Sequence, residues 1–154
     1  MNRIAGALVV VAFAGLSFGQ ANVLTLTGPE RLTAKVGKMT EVKLSAQLKD
    51  GYHANSNTPS DEYLIPMRLT WSKSPLDVAD VLYPTPQMEK YSFSDKPLSV
   101  YTGSFEIVTK LKVDNDALPG PTVITAKLRY QACTDRMCLP PKTVDVSVPV
   151  DITK

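Results

Sequence analysis

Strict two-residue alternation of apolar side chains, the lack of any sustained 3.6-residue apolar repeat past the first twenty residues, and evenly spaced turn signals predict an all-β fold. The architecture that fits is an immunoglobulin-like β-sandwich of two antiparallel sheets. A jelly roll or a small barrel satisfies the same pattern less economically. Val42, Leu44, Ala46 and Leu48 alternate with Glu41, Lys43, Ser45 and Gln47, as a half-buried strand requires. Phe105, Ile107, Thr109, Leu111 and Val113 repeat the pattern. Ile124, Ala126, Leu128 and Tyr130 follow, with Thr125, Lys127 and Arg129 on the other face, and Val144 to Ile152 closes the series. Shorter strands are expected at Val23–Thr27, Leu64–Trp71 and Val78–Tyr83. Gly28-Pro29, Asp50-Gly51, Ser74-Pro75 and Leu118-Pro119-Gly120-Pro121 punctuate them. Trp71 belongs with the core.

The N-terminus reads as a leader. Arg3 precedes an apolar run from Ile4 to Leu16, and Ser17 and Gly19 supply small residues for cleavage after Gly19. Cleavage after Ala21 fits nearly as well. The run is short for a spanning helix, and no cysteine lies near it to take a lipid. Residues 1–19 are therefore expected to be a signal peptide, and 22–154 one exported domain.

Composition removes several classes of function. A net charge of +2 with scattered basic residues offers no nucleic-acid surface. One histidine and two cysteines cannot assemble a four-ligand Cys/His zinc site. Asp61-Glu62 stands in a polar loop with no partner acid or base, and no Gly-x-Ser-x-Gly elbow occurs, so a hydrolase has no recognisable catalytic set. No cofactor is implied. Lysines on the expected edge strands suit a monomeric sheet.

The two cysteines, Cys133 and Cys138, sit five positions apart between an alternating strand and a Pro140-Pro141 step. In exported proteins a close pair commonly serves as a structural staple. Closing so small a ring is worth only about 2 kcal/mol, which a domain this size does not need. Short or exposed disulfides are also the exchangeable ones. Spacing alone leaves a static staple and a redox pair equally open.

The run Tyr130-Gln131-Ala132-Cys133, continued by Cys138-Leu139-Pro140-Pro141-Lys142-Thr143, resembles the active-site hairpin of the periplasmic N-terminal domain of DsbD-type thiol:disulfide interchange proteins. Asp50-Gly51-Tyr52-His53 is similar to that family's Asp-Gly-aromatic step. Tyr91-Ser92-Phe93-Ser94-Asp95-Lys96, followed by Tyr101, resembles its aromatic cap loop. The likeness runs from Leu24 to Ile152, although the loop between the cysteines is one residue shorter than in the best-known members.

This resemblance implies a periplasmic exchange domain with an immunoglobulin-like fold. Cys138 would carry the mixed disulfide with a partner and Cys133 would resolve it. Phe93 would shield the pair, with Tyr91 in the same cap, while Tyr52, His53 and Tyr101 would line the site. His53 could accept a proton from a leaving thiol. Tyr130 falls on the apolar face of its strand and is expected in the core, and Gln131 is placed to hydrogen-bond across the loop. Arg136, opposed by Asp135, would favour a thiolate. The partners implied are thioredoxin-fold redox proteins, or a membrane electron-transfer protein on a separate chain, because the family's membrane and thioredoxin-like domains have no counterpart in these residues. An isomerase, a cytochrome-maturation protein and a peroxidase-type reductase are all clients such a domain could serve. The competing reading is an immunoglobulin-like binding or assembly module whose disulfide never opens.

Overall fold

The computed structural model describes residues 22–154, and the expected signal peptide lies outside the described residues. Twelve strands and no helix make up this part of the chain: β1 (Leu24–Thr27), β2 (Leu32–Lys35), β3 (Met39–Leu48), β4 (His53–Asn55), β5 (Arg68–Trp71), β6 (Leu76–Leu82), β7 (Gln87–Glu89), β8 (Leu98–Thr102), β9 (Ser104–Val113), β10 (Gly120–Tyr130), β11 (Ala132–Cys133) and β12 (Lys142–Thr153). Two four-stranded sheets form the sandwich, in the orders β1-β3-β9-β6 and β2-β12-β10-β5. All pairings are antiparallel except β2 with β12.

The alternating residues do what their spacing dictates. Val42 and Leu44 of β3 and Ile107 and Leu111 of β9 are fully buried, in one cluster with Ile124 and Leu128 of β10 and Val148 and Val150 of β12. Their sequence neighbours face solvent, so one strand face supplies the core and the other solubility. The Trp71 indole is half-buried and donates a 3.0 Å hydrogen bond to the Thr109 hydroxyl, joining the two sheets and satisfying a buried polar group.

A third sheet, β11-β4-β8-β7, extends the expected two-sheet sandwich. Its central strands are buried on both faces: every residue of β4 is buried, and so are the first four of β8. Double burial removes the alternation that reveals a strand, which is why these elements are silent in sequence. One face, with Ala54, Tyr101 and Ala132, joins the main core. On the other side Val100 and Leu98 form a separate small cluster with Leu64, against which Tyr91 packs. Leu64 therefore belongs to a loop rather than to a strand running to Trp71. Pro66 offers no amide to a ladder, and the strand begins only at Arg68.

Candidate functional site

The cysteine hairpin grows out of the longest ladder in the fold. β10 and β12 pair from Gly120↔Ile152 to Tyr130↔Lys142. Beyond that point Gln131 and Ala132 on one side face Leu139, Pro140 and Pro141 on the other before Cys133 meets Cys138. The extra residue and the two missing amides break the ladder, so β11 turns away from β12 and pairs with β4. This corner carries the pair from the sandwich into the third sheet.

Cys133 and Cys138 form a disulfide with Cα atoms 3.9 Å apart. Backbone bonds flank it on both sides, Thr134 N–H to Met137 O and Leu139 N–H to Ala132 O, each 2.8 Å. The cysteines therefore occupy the non-hydrogen-bonded position of the hairpin, where opposed residues approach most closely. The Thr134 hydroxyl accepts from the Arg136 and Met137 amides at 3.3 Å and orders the four-residue loop. Cys133 is fully buried, Cys138 is half-buried, and Asp135, Arg136 and Met137 are exposed.

Gln131 braces the corner. Its side-chain oxygen accepts from Asn55 Nδ2 at 2.9 Å and from the Ile65 amide at 3.1 Å, while its nitrogen donates to the Leu139 carbonyl at 3.2 Å. One amide thus spans the hairpin from before the first cysteine to after the second and ties both to the loop after β4. It supplies bonds that Pro140 and Pro141 cannot.

Opposed residues of an antiparallel sheet share a face, so the register Cys133↔His53↔Thr102 sets these side chains in one row. His53 is buried, with no hydrogen-bond partner for Nε2. Tyr91 stacks on it, ring centroids 3.8 Å apart and planes 14° from parallel. Phe93 continues the stack, 5.7 Å from Tyr91 and 6.4 Å from His53, and remains 39% exposed. The Tyr91 hydroxyl donates to Glu89 at 2.5 Å. Burial, and then the Glu89 carboxylate, push the Tyr91 phenol well above its usual range. Burial lowers the His53 pKa, with Glu89 opposing. The Ser92 hydroxyl donates to the Asp135 carbonyl, so the cap loop closes onto the cysteine loop. A cleft of about 630 Å³ opens beside this stack, lined by Tyr52, His53, Glu89, Tyr91 and Asp135 among others.

The structure thus brings Cys133, Cys138, His53, Tyr91, Phe93 and Gln131 to one end of the third sheet, with Tyr52 on the neighbouring cleft. Tyr101 faces the other way: its ring stacks on Phe105 at 4.8 Å in the main core, and its hydroxyl is held by Asn57 and Pro84. Tyr130 is buried in the core as its strand position predicts, and burial raises its phenol pKa. Arg136 lies in the exposed loop. Asn55 and Glu89 complete the surroundings and were not singled out by sequence. Asn55 follows His53 at the two-residue spacing of one strand face, a signal too short to read in isolation.

Comparison with known proteins agrees with this fold. Residues 24–149 match the family model described as "Thiol:disulfide interchange protein DsbD, N-terminal". The fold is similar to the crystal structure of the N-terminal periplasmic domain of ScsB from Proteus mirabilis, with a TM-score of 0.53 and 18% identity, covering 83% of this chain and 45% of that one. The chain spans less than half the length of that structure, and at this identity the likeness is one of fold. The periplasmic chaperone SfaE is more distant, at a TM-score of 0.45 and 10% identity over 85% of this chain and 58% of that one. No curated protein matches the sequence. Among the described residues no helix is long and apolar enough to cross a membrane. With the family match spanning the Cys133–Cys138 hairpin, the chain belongs to the DsbD N-terminal-domain family of thiol:disulfide interchange proteins.

Proposed function

We propose that this domain is an exported, periplasmic relay that passes reducing equivalents between thioredoxin-fold partners, or from a membrane electron-transfer protein to such a partner, through Cys133 and Cys138. The observation that carries the reading is the asymmetry of the pair: Cys133 is fully buried within the β4–β11 pairing, whereas Cys138 is half-buried beside an exposed loop. A partner can reach only the second sulfur. In the reduced domain the Cys138 thiolate attacks the partner's disulfide and forms a mixed disulfide, releasing one partner thiolate. Cys133 then attacks Cys138, the intermolecular bond breaks, and the partner leaves with two electrons.

The hairpin is suited to opening and closing this bond. Two backbone bonds and the three contacts of Gln131 hold its ends in place whether or not the sulfurs are joined. The disulfide is therefore redundant as a staple. Exposed Met137 precedes Cys138, and exposed Phe93 ends the stack on His53, so this end of the third sheet offers apolar side chains for docking.

The test is the reduction potential of the pair, measured by equilibrating the mature protein in graded thiol buffers. A value between about −180 and −270 mV, the span of working oxidoreductases, is expected. A value below about −300 mV, where structural disulfides lie, would leave a static immunoglobulin-like binding module in its place.

A further inference from the structure

We infer that His53 is the proton acceptor for Cys133 in the step that resolves the mixed disulfide, an inference that rests on the relay reading above. Resolution needs a thiolate at the buried sulfur, and water has little access to Cys133, whose residue is fully covered. A base must therefore come from the protein. His53 is the residue directly opposed to Cys133 across the β4–β11 ladder, with its side chain on the same face. Its Nε2 is buried and has no hydrogen-bond partner, which leaves that atom free to take a proton.

The other titratable groups around His53 are otherwise placed. Tyr91 from the cap stacks on the imidazole, and its hydroxyl points away, to Glu89. The Glu89 carboxylate is accordingly engaged by that phenol. Asp135 of the cysteine loop is exposed, as are Lys49 and Asp50 at the turn, and all three line the adjoining cleft with Tyr52. Burial holds the imidazole neutral at neutral pH, the state in which it can act as a base. The stack with Tyr91 fixes the ring plane, so the acceptor is oriented before the reaction begins.

The step balances as follows. With a partner sulfur on Cys138, the Cys133 thiol gives its proton to His53. Cys133 Sγ forms a bond to Cys138 Sγ as the bond from Cys138 to the partner breaks, and the electron pair of that bond leaves on the partner's sulfur. The imidazolium then gives its proton to the departing thiolate. The domain is oxidised by two electrons, the partner is reduced by two, and His53 ends neutral.

Stopped-flow reaction of the reduced, untagged protein with one equivalent of dithiobis(nitrobenzoate) tests this, because attack and resolution each release one coloured thiolate. His53→Gln is expected to slow the second phase by about tenfold or more while sparing the first. His53→Phe, which keeps an aromatic ring against Tyr91, should be as slow. Recovery in His53→Phe would mean that the ring serves only as packing and would overturn the proposal. His53 is the sole histidine, so its titration can be followed by NMR without ambiguity. In the wild type the second-phase rate should fall with acid at the NMR pKa of His53, below 6.5. A second phase without that inflection would overturn the proposal even if the variants did not fold. The relay reading fails differently: the potential of the pair would lie in the range of structural disulfides while the two phases kept their dependence on His53.

Discussion

The Ser92 hydroxyl donates a 2.8 Å hydrogen bond to the carbonyl of Asp135, joining the aromatic cap to the loop between the cysteines. No strand pairing connects these two loops: this contact joins them, while the stack on His53 and the packing of Tyr91 against the cluster of Leu64, Leu98 and Val100 hold the cap to the third sheet. Both loops lie near solvent, with Ser92 and Asp135 exposed. Ser92→Ala removes a bond worth about 1 kcal/mol, which raises the open population by about fivefold. Glutathione should reduce the disulfide of that variant faster by a similar factor. Phe93→Ala should accelerate it as well, since the outermost ring of the stack is lost. Second-order rate constants matching the wild type in both variants would show that the cap does not gate the pair.

Gln131 carries the second prediction. Gln131→Leu strands the Ile65 amide and the Leu139 carbonyl, both of which it serves directly. Leaving such groups unpaired costs about 1–3 kcal/mol, and the denaturant midpoint of the oxidised protein should fall accordingly. Gln131→Glu would keep the oxygen that Asn55 and Ile65 use but set a second acceptor against the Leu139 carbonyl, so it should lose stability as well. A Gln131→Leu midpoint equal to that of the wild type would mean that the brace contributes nothing.

These two loops mark the boundary of what the sequence makes legible. The long strands β3, β9, β10 and β12 announce themselves because each has one buried and one solvated face. β4 and β8 do not, because both of their faces are covered. The third sheet therefore had to be found in three dimensions, although Asp50-Gly51 marks the turn into it and Gly51 adopts the positive φ of +81° that the turn requires. The cysteine hairpin is visible as a pattern, and its neighbours Tyr91 and Phe93 lie beside it. Tyr101 illustrates the limit. One residue of register decides whether a side chain joins the row of Cys133 and His53 or the core, and Tyr101 is opposite Ala54 rather than His53.

A third prediction concerns the division of labour between the sulfurs. Cys133→Ala leaves the half-buried Cys138 able to capture a partner and unable to release it, so a mixed disulfide with a thioredoxin-fold protein should accumulate. Cys138→Ala leaves only the fully covered Cys133, and capture should drop to background. Non-reducing electrophoresis after incubation with an oxidised thioredoxin-fold protein distinguishes the two. Equal trapping by both variants would remove the assigned roles, and the reverse order would exchange them.

The fourth prediction is a dependence of stability on pH that originates in one imidazole. Burial lowers the His53 pKa below its ordinary 6.5, and the nearby Glu89 charge only partly offsets this. The unfolded chain therefore binds a proton first as the pH falls. Between 6.5 and the lower folded-state value the unfolded state holds more protons than the native one, so stability must decline with acid across that interval. Above 6.5 the contribution is fully present, and below the folded-state value the loss is complete. For a single site the slope cannot exceed about 1.4 kcal/mol per pH unit. Ordinary carboxylates titrate nearer pH 4 and no second histidine exists, while Asp114, raised by desolvation and then by Asp77 and Asp116, would make stability rise rather than fall with acid. Urea denaturation from pH 7 to 5.5 should therefore show falling stability in the wild type and a flat profile in His53→Gln. A variant that retained the wild-type slope would place the titrating group elsewhere and contradict the burial of neutral His53 beneath Tyr91.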